Sequence, residues 1–236
     1  MKLTHGLAAL VLLASASAAH AEISGTAAAV TDYNWRGVTQ TAQGPAVQGS
    51  LDYSHSSGFY AGAWGSNVDF GDCCDESVEV DLYLGIAGGE ELTWDVGYNY
   101  YSYPGGDDLD FGEFYASLGY KWIEGKIWYA NDFGNYGKSA MYYEANAAFE
   151  LPYNLGLEGH LGYSDGSGIE EAYGQDNYID WSIGLTYTYS HFDFGLKWVD
   201  GSDLKTYDGT PDDVFSSESR AIFSISTAFP WTSGEE

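Results

Sequence analysis

Residues 77–87 alternate between aliphatic side chains and side chains that are polar or small. One parity is aliphatic throughout: Val78, Val80, Leu82, Leu84 and Ile86. The other parity carries Glu79 and Asp81. Because successive side chains of a strand point to opposite faces, the segment predicts a β-strand with one apolar face and one acidic face. A soluble sheet would give the same alternation, but here it recurs in segments of about 9–11 residues, the length that crosses a bilayer.

Clusters of Gly, Pro, Asp, Asn and Ser separate about twelve such segments. Their predicted bounds are 23–35, 46–54, 59–67, 77–87, 92–102, 111–121, 125–133, 140–151, 155–164, 178–189, 191–199 and 219–229. An even number of strands returns the C-terminus to the rim where the first strand begins. Closure also removes the sheet edges, which hydrocarbon does not tolerate. The predicted fold class is therefore all-β, an antiparallel transmembrane β-barrel.

The connections alternate strictly in length along the chain. Those after the even-numbered segments are short: Ser54–Gly58, Gly88–Glu91, Trp122–Glu124, Pro152–Asn154 and Ser190. Those after the odd-numbered segments are longer: Arg36–Pro45, Val68–Glu76, Tyr103–Asp110, Gly134–Ser139, Asp165–Asn177 and Asp200–Glu218. Short periplasmic turns and longer extracellular loops are typical of bacterial outer-membrane barrels, whereas a soluble sandwich has no reason to sort its connections in this way.

The parity of the aliphatic residues predicts which side chains contact lipid. Aromatic side chains gather near both ends of the segments, as in the girdles of membrane barrels. Toward the loops these are Tyr33, Trp35, Tyr100 and Trp198, and toward the turns Trp94, Trp122, Tyr189, Phe192 and Phe229. We therefore expect an apolar belt that is bordered by two aromatic girdles.

The opposite parity predicts the side chains that line the lumen. The candidates are Asp32, Arg36, Asp52, Glu79, Asp81, Asp95, Glu113, Glu144, Glu158, His160, Asp180, Asp193 and Lys197, and Lys121 has the same parity. Charges that face lipid at mid-depth cost about 2–4 kcal/mol, so a wet interior suits them better. About twelve strands lie between the eight that side chains fill and the sixteen that leave an aqueous channel, which predicts a narrow lumen.

The composition supports an exported acidic barrel. The chain has 35 acidic and 8 basic residues, a net charge of −27, 31 Gly and 21 Tyr. Such a charge excludes binding to nucleic-acid phosphates and favours cations. Two alternatives to a cation passage stay open: solvated acidic loops, and lumen carboxylates that only brace the interior against Arg36, Lys121 or Lys197.

The N-terminus has the pattern of a secretory signal peptide. It combines Lys2, an apolar run over Leu7–Ala14 and the small residues Ala19 and Ala21 around His20. The run is too short for a spanning helix. We predict a signal peptide over residues 1–21, a mature barrel over 22–236, and export to the outer membrane of a Gram-negative cell.

Nothing in the sequence indicates a cofactor, a metal site or a catalytic site. Cys73 and Cys74 are adjacent and lack zinc-site spacing, so they are loop thiols or a vicinal disulfide. His160 lies beside Glu158 without a serine nearby, and His55 and His191 lie in or next to turns. No nucleophile–base pair stands out, and we predict that the protein is not an enzyme.

Several motifs resemble the TorF family of proposed porins. They are Asn34-Trp35-Arg36-Gly37, Thr39-Gln40-Thr41, Pro45-Ala46-Val47-Gln48-Gly49, Asp52-Tyr53, Ser57-Gly58-Phe59-Tyr60, Val78–Gly85, Gly97–Gly106 and Glu113-Phe114-Tyr115. The resemblance covers most of the mature chain and implies an outer-membrane β-barrel of porin type. One departure is Pro230–Glu236 after Phe229, because outer-membrane barrels usually end on an aromatic residue.

The leading hypothesis is a channel for small hydrophilic or cationic solutes, with Arg36 as a counter-charge at the constriction. The alternative is a structural or surface-binding barrel with a plugged lumen. A third, an outer-membrane lipid hydrolase, would depend on His160. The predicted partners are outer-membrane lipid and the solute, without nucleic acid, and the oligomeric state stays open.

Overall fold

The computed structural model describes residues 21–71, 76–105, 109–202, 204 and 213–231. Its long strands form a closed antiparallel barrel in which neighbours along the chain pair and the last pairs with the first. These are β1 (Glu22–Val30), β4 (Ala46–Ser54), β5 (Phe59–Asn67), β6 (Val78–Gly88), β7 (Leu92–Ser102), β8 (Phe111–Tyr120), β9 (Ile123–Ala130), β10 (Ala140–Leu151), β11 (Leu155–Asp165), β12 (Asn177–Tyr189), β13 (Phe192–Gly201) and β14 (Arg220–Phe229). Two short strands, β2 (Asn34–Trp35) and β3 (Val38–Thr39), pair separately.

The predicted fold class is confirmed as a closed antiparallel barrel of 12 strands. The barrel closes where Gly25–Val30 pair with Ser224–Phe229. Short turns connect the strands at one end, which we call the turn rim, and longer segments connect them at the other end, the loop rim. Most predicted bounds agree with the structure within two residues, but two strands differ by three or more at one end. The first strand ends at Val30 rather than at residue 35, and the seventh spans Ile123–Ala130 rather than 125–133.

The outer face of the barrel is apolar and the alternate residues point inward. Leu82, Leu84 and Leu118 are 54%, 53% and 59% exposed, whereas Glu79 and Glu113 are 2% and 1% exposed. Soluble monomers rarely expose a continuous apolar surface of this extent, and hydrocarbon is the environment that suits it. Most predicted girdle residues are exposed near the rims, but Tyr33 and Trp35 instead pack against a buried cluster inside the loop rim.

The loop rim is covered by short elements. A 3-10 helix at Phe133–Asn135 follows β9, and the helix α1 (Ser167–Tyr173) follows β11. None of the helices in the described part of the chain is long and apolar enough to cross a membrane. Phe133 and Ile169 from these elements are buried against the top of the barrel.

Three sequence predictions lie outside the described residues, wholly or in large part. They are the signal peptide over 1–21, the state of Cys73 and Cys74, and the role of the tail beyond Phe229. They stay predictions.

We predict that Leu84→Arg destabilises the barrel by about 2–4 kcal/mol, because it places a charge at mid-depth of the apolar belt. The control is Ile23→Arg, which lies at the turn rim and is 67% exposed. It should cost about 0–1 kcal/mol, since charges near the interface stay hydrated. Urea unfolding in lipid vesicles, followed by Trp fluorescence, measures both. Equal losses would contradict the assignment of the outer face to lipid.

Candidate functional site

The segment after β1 turns into the barrel as a hairpin. Its strands β2 and β3 are joined by Arg36 and Gly37, whose φ angles of 50° and 81° are both positive. Two central residues with positive φ indicate a type I′ turn, which favours glycine. A Cβ on Gly37 would lie 2.5 Å from the Cβ of Asp180 on β12. The tip of this inner hairpin (residues 34–39) therefore rests directly against the barrel wall.

The inner hairpin is buried in an apolar cluster that occupies the loop-rim half of the interior. Val38 and Thr39 are 0% exposed. Trp35 stacks on Phe133 with ring centroids 6.1 Å apart. The cluster, which we call the loop-rim cluster, contains Val38, Val68, Phe70, Tyr101, Tyr103, Phe111, Ala130, Phe133, Ala140, Ile169 and Tyr178. Packing of this kind narrows the interior at the level of the hairpin.

Arg36 at the hairpin tip forms a bidentate ion pair with Glu113 on β8. Its two terminal nitrogens lie 3.0 and 2.5 Å from the two carboxylate oxygens, and Tyr101 donates a hydrogen bond of 2.9 Å to Oε2. The guanidinium also lies 4.3 Å from the ring centroids of Trp35 and Tyr142. Burial disfavours the charged form of Arg36, but the Glu113 carboxylate together with Tyr101 and Tyr142 outweighs burial and holds the pKa of Arg36 above its ordinary value.

A second ion pair holds the base of the hairpin. Arg220 on β14 lies 2.7 Å from Oδ2 of Asp32, which is 4% exposed. Thr39 and Thr41 donate hydrogen bonds of 2.5 and 3.2 Å to Oδ1 of Asp32. The hairpin is therefore attached to β14 at its base and to β8 at its tip.

Glu79 and Asp81 lie next to each other beneath the loop rim. Tyr33 donates a 3.3 Å hydrogen bond to Oε1 of Glu79, and Asn99 donates one of 3.2 Å to Oδ2 of Asp81. Burial and the nearby carboxylates raise the pKa of Tyr33 well above its usual value, so its hydroxyl stays a donor. Both carboxylates accept hydrogen bonds from uncharged donors. Neither forms an ion pair with a basic side chain among the described residues.

The turn-side half of the interior is lined by half-buried acids and by tyrosines, of which Tyr60 and Tyr115 are buried. Asp95 accepts a 2.7 Å hydrogen bond from Tyr60, whose hydroxyl also bonds to Tyr115. Asp52 accepts hydrogen bonds from Tyr83 and Ser50. These rings lie against glycines of the neighbouring strands, since a Cβ on Gly62 or Gly85 would collide with Tyr83 or Tyr60. The small residues leave room for the rings along the wall.

A histidine cluster occupies the wall formed by β10, β11 and β12. Nδ1 of His160 lies 2.6 Å from Oδ1 of Asn146. Nε2 lies 2.9 Å from Oδ1 of Asp180 and 2.9 Å from the Tyr142 hydroxyl. Both ring nitrogens are thus engaged in polar contacts. The described residues contain no group of three or more His, Cys, Asp and Glu side chains arranged to hold a metal ion.

The remaining predicted lumen residues also have polar partners. Glu144 accepts a 2.7 Å hydrogen bond from Nε1 of Trp128, and Asp193 accepts one of 2.5 Å from Thr188. Glu158 lies 3.0 Å from Nζ of Lys197. The predicted residues therefore form several small networks rather than one cluster.

Three positional predictions need correction. Asp32 lies on the segment that folds inward rather than on the first wall strand, and Arg36, predicted near the mouth at the start of a connection, lies at the tip of the inner hairpin. The backbone leaves the strand after Val30 because the hairpin gains buried ion pairs and aromatic contacts inside. Lys121 lies exposed in the turn between β8 and β9, where its Nζ is 5.0 Å from the Tyr120 ring.

Sequence reasoning missed the inner residues of β9. Lys126 lies 4.0 and 4.2 Å from the ring centroids of Tyr115 and Trp128, and Glu124 accepts a 3.4 Å contact from Ser117. The signal was present in the sequence, since Ile123, Ile127 and Tyr129 have the opposite parity and are exposed: their exposed fractions are 44%, 46% and 43%. The predicted start of this strand at residue 125 hid the alternation.

Comparisons with known proteins support the fold. A model of the family described as "Bacterial protein of unknown function (Gcw_chp)" matches residues 14–229. The solved KdgM porin is 8% identical over 89% of this chain and 99% of its own, with a TM-score of 0.57. The solved NanC porin is 10% identical over 89% of this chain and 100% of its own, with a TM-score of 0.56. Comparison with curated protein sequences gave no match. The resemblance to the TorF family stays a prediction.

We predict that Arg36→Met costs about 3–5 kcal/mol of unfolding free energy, because it leaves the buried Glu113 carboxylate unpaired. The double variant Arg36→Met with Glu113→Leu should regain most of the loss, since it removes both charges.

The control is Lys197→Met, because the side chains of Lys197 and Glu158 are 33% and 29% exposed. It should cost about 0–1 kcal/mol. Urea unfolding in vesicles measures all three variants. An Arg36→Met loss no larger than the control would show that the ion pair does not hold the hairpin.

Proposed function

The chain belongs to the bacterial Gcw_chp family, and from its barrel we propose that it is an outer-membrane channel of porin type that passes small hydrophilic solutes and prefers cations. The observation that carries this proposal is the inner face of the barrel, where carboxylates outnumber the cationic side chains. The N-terminal signal pattern and the exposed apolar belt support the outer membrane as its location.

The proposed cation preference is supported by the uncharged hydrogen-bond donors of the carboxylates on the inner face. Asp52 and Asp95 accept hydrogen bonds from tyrosine hydroxyls. Neutral donors favour the ionised form of a carboxylate and leave its charge uncompensated, whereas an ion pair cancels it. A narrow wet passage with low-dielectric walls concentrates such a field and raises the local concentration of cations.

We further propose that the inner hairpin is the constriction of the channel. The sequence suggested Arg36 as a counter-charge at the constriction, but its guanidinium is bound to Glu113, so the bulk of the hairpin narrows the passage instead. The loop-rim cluster packs around the hairpin, which also supports a constriction at this level of the barrel.

The second candidate is a barrel with a plugged lumen that transports nothing. One observation favours it: Val38 and Ile169 are 0% and 1% exposed within the loop-rim cluster. In that case the acidic loops would carry the function. No comparable observation favours the lipid hydrolase. The TorF resemblance, the lipid and solute partners, the oligomeric state and the absence of catalysis stay predictions.

We predict cation-selective conductance steps when the refolded mature protein is added to planar bilayers. Under a KCl gradient, the reversal potential should indicate a preference for K⁺. Asp95→Asn should reduce this preference, because it removes a charge from the passage, whereas Asp69→Asn in an exposed loop should leave it unchanged. An anion preference would contradict the proposal.

Replacement of residues 34–39 by Gly-Gly should increase the single-channel conductance several-fold, since it removes the constriction. Tyr153→Gly at the turn rim, where Tyr153 is 88% exposed, is the control and should conduct like the wild type. Conductance in the replacement variant alone would favour the plugged barrel. The absence of conductance in both proteins would reject transport through the lumen.

A further inference from the structure

We propose that Glu79 and Asp81 form a binding site for a divalent cation such as Ca²⁺ inside the barrel. The two residues are separated by one position on β6, so both side chains point to the inner face. They are 2% and 9% exposed. The proposal concerns the described residues of the wall and stands whether or not the barrel conducts.

The unpaired oxygen atoms are the first observation. Oε1 of Glu79 and Oδ2 of Asp81 accept hydrogen bonds from Tyr33 and Asn99. Oε2 of Glu79 and Oδ1 of Asp81 have no hydrogen-bond partner within the described ranges, although both are buried. A buried polar atom without a partner costs about 1–3 kcal/mol, and more if it is charged. Two neighbouring oxygens of this kind are stabilised either by a bound cation or by a proton that the two carboxyl groups share, and the experiment below separates the two cases.

The Arg and Lys side chains that the structure describes inside the barrel contact residues other than Glu79 and Asp81. Arg36 pairs with Glu113, Arg220 with Asp32 and Lys197 with Glu158. Nζ of Lys126 lies 4.0 and 4.2 Å from the ring centroids of Tyr115 and Trp128. Within the residues that the structure describes, Glu79 and Asp81 therefore have no ion pair with a side chain, and an ion from outside the chain could supply the positive charge.

The donor atoms determine the class of ion. The two carboxylates are hard oxygen ligands, which suit Ca²⁺ or Mg²⁺, whereas softer transition metals prefer nitrogen or sulfur. A divalent ion also balances the charge of two carboxylates. Ca²⁺ takes 6–8 oxygen ligands and accepts water among them, so it tolerates a site to which the protein supplies only part of the shell.

Terbium is a suitable probe because it replaces Ca²⁺ and emits when a nearby aromatic side chain transfers energy to it. Trp64 pairs with Asp81 across β5 and β6, and its ring lies 5.3 Å from that of Tyr33, the donor to Glu79. We expect the refolded mature protein in detergent to show saturable Trp-sensitised Tb³⁺ emission that Ca²⁺ displaces. Glu79→Gln and Asp81→Asn should each weaken Tb³⁺ binding about tenfold or more.

The matched control is Asp193→Asn, which removes an inner carboxylate that has a donor in Thr188. It should bind Tb³⁺ like the wild type. Emission that does not saturate, or equal binding by all variants, would assign the ion to the acidic loops and overturn the proposal. Stabilisation by Glu79→Gln that is the same with and without Ca²⁺ would indicate a shared proton instead, and would also overturn it.

A further variant covers the case in which the carboxylate variants do not fold. Trp64→Phe keeps both carboxylates, so Ca²⁺ should still raise its melting temperature as in the wild type while the sensitised emission falls. Emission unchanged by Trp64→Phe would place the ion away from Glu79 and Asp81. If the protein binds Tb³⁺ at this site but does not conduct ions in bilayers, the channel proposal is rejected and the cation-site proposal is retained.

Discussion

The hydrogen-bonding requirement of the backbone in hydrocarbon shapes the whole molecule. Each N–H and C=O group at membrane depth needs a partner from the chain itself, and a closed antiparallel sheet supplies one for every strand. The pairing of Gly25–Val30 with Ser224–Phe229 closes this sheet. Because the chain closes on itself, one face of every strand must meet lipid and the other must meet the interior. The distribution of apolar and polar side chains follows from this division.

The polar side chains inside the barrel have different kinds of partners in its two halves. Carboxylates on the inner face are costly unless they are bonded, and the chain supplies mostly hydroxyl and amide donors in the turn-side half. Tyr60 and Tyr83 reach these acids because they lie over glycines, which take little space on the wall. In the loop-rim half, ion pairs and aromatic rings hold the inner hairpin instead. The two halves therefore differ in character: one is polar and half-buried, and the other is packed.

This division shows how a single barrel supports two functional hypotheses. The polar half has the field of a cation passage, whereas the packed half has the burial of a plug. The Arg36–Glu113 pair bonds the hairpin tip to the wall within the packed half. Buried ion pairs contribute little net stability compared with apolar packing, but they specify one geometry when both partners are present. The hairpin position is specified in this way.

Much of the fold was predictable because strand alternation is a local property. The residues of β6 show their period of two without reference to any neighbour, and the lengths of the connections separate the two rims. The prediction failed where local pattern and long-range contact disagree. Asp32 and Arg36 continue the alternation of β1, yet the chain leaves the wall after Val30. Partners at Arg220 and Glu113, distant in sequence, decide that departure.

The sequence by itself determined the barrel, the order of its strands, the apolar outer face and the acidic inner face. These depend on the chemistry of each side chain and its parity, which sequence position encodes directly. Only the tertiary structure decided which acids meet cations, which meet tyrosines, and that Glu79 and Asp81 each keep an unpaired oxygen. The curvature of the closed sheet and the fold of the inner hairpin determine which side chains meet across the lumen. Neither feature produces a periodic pattern in the sequence.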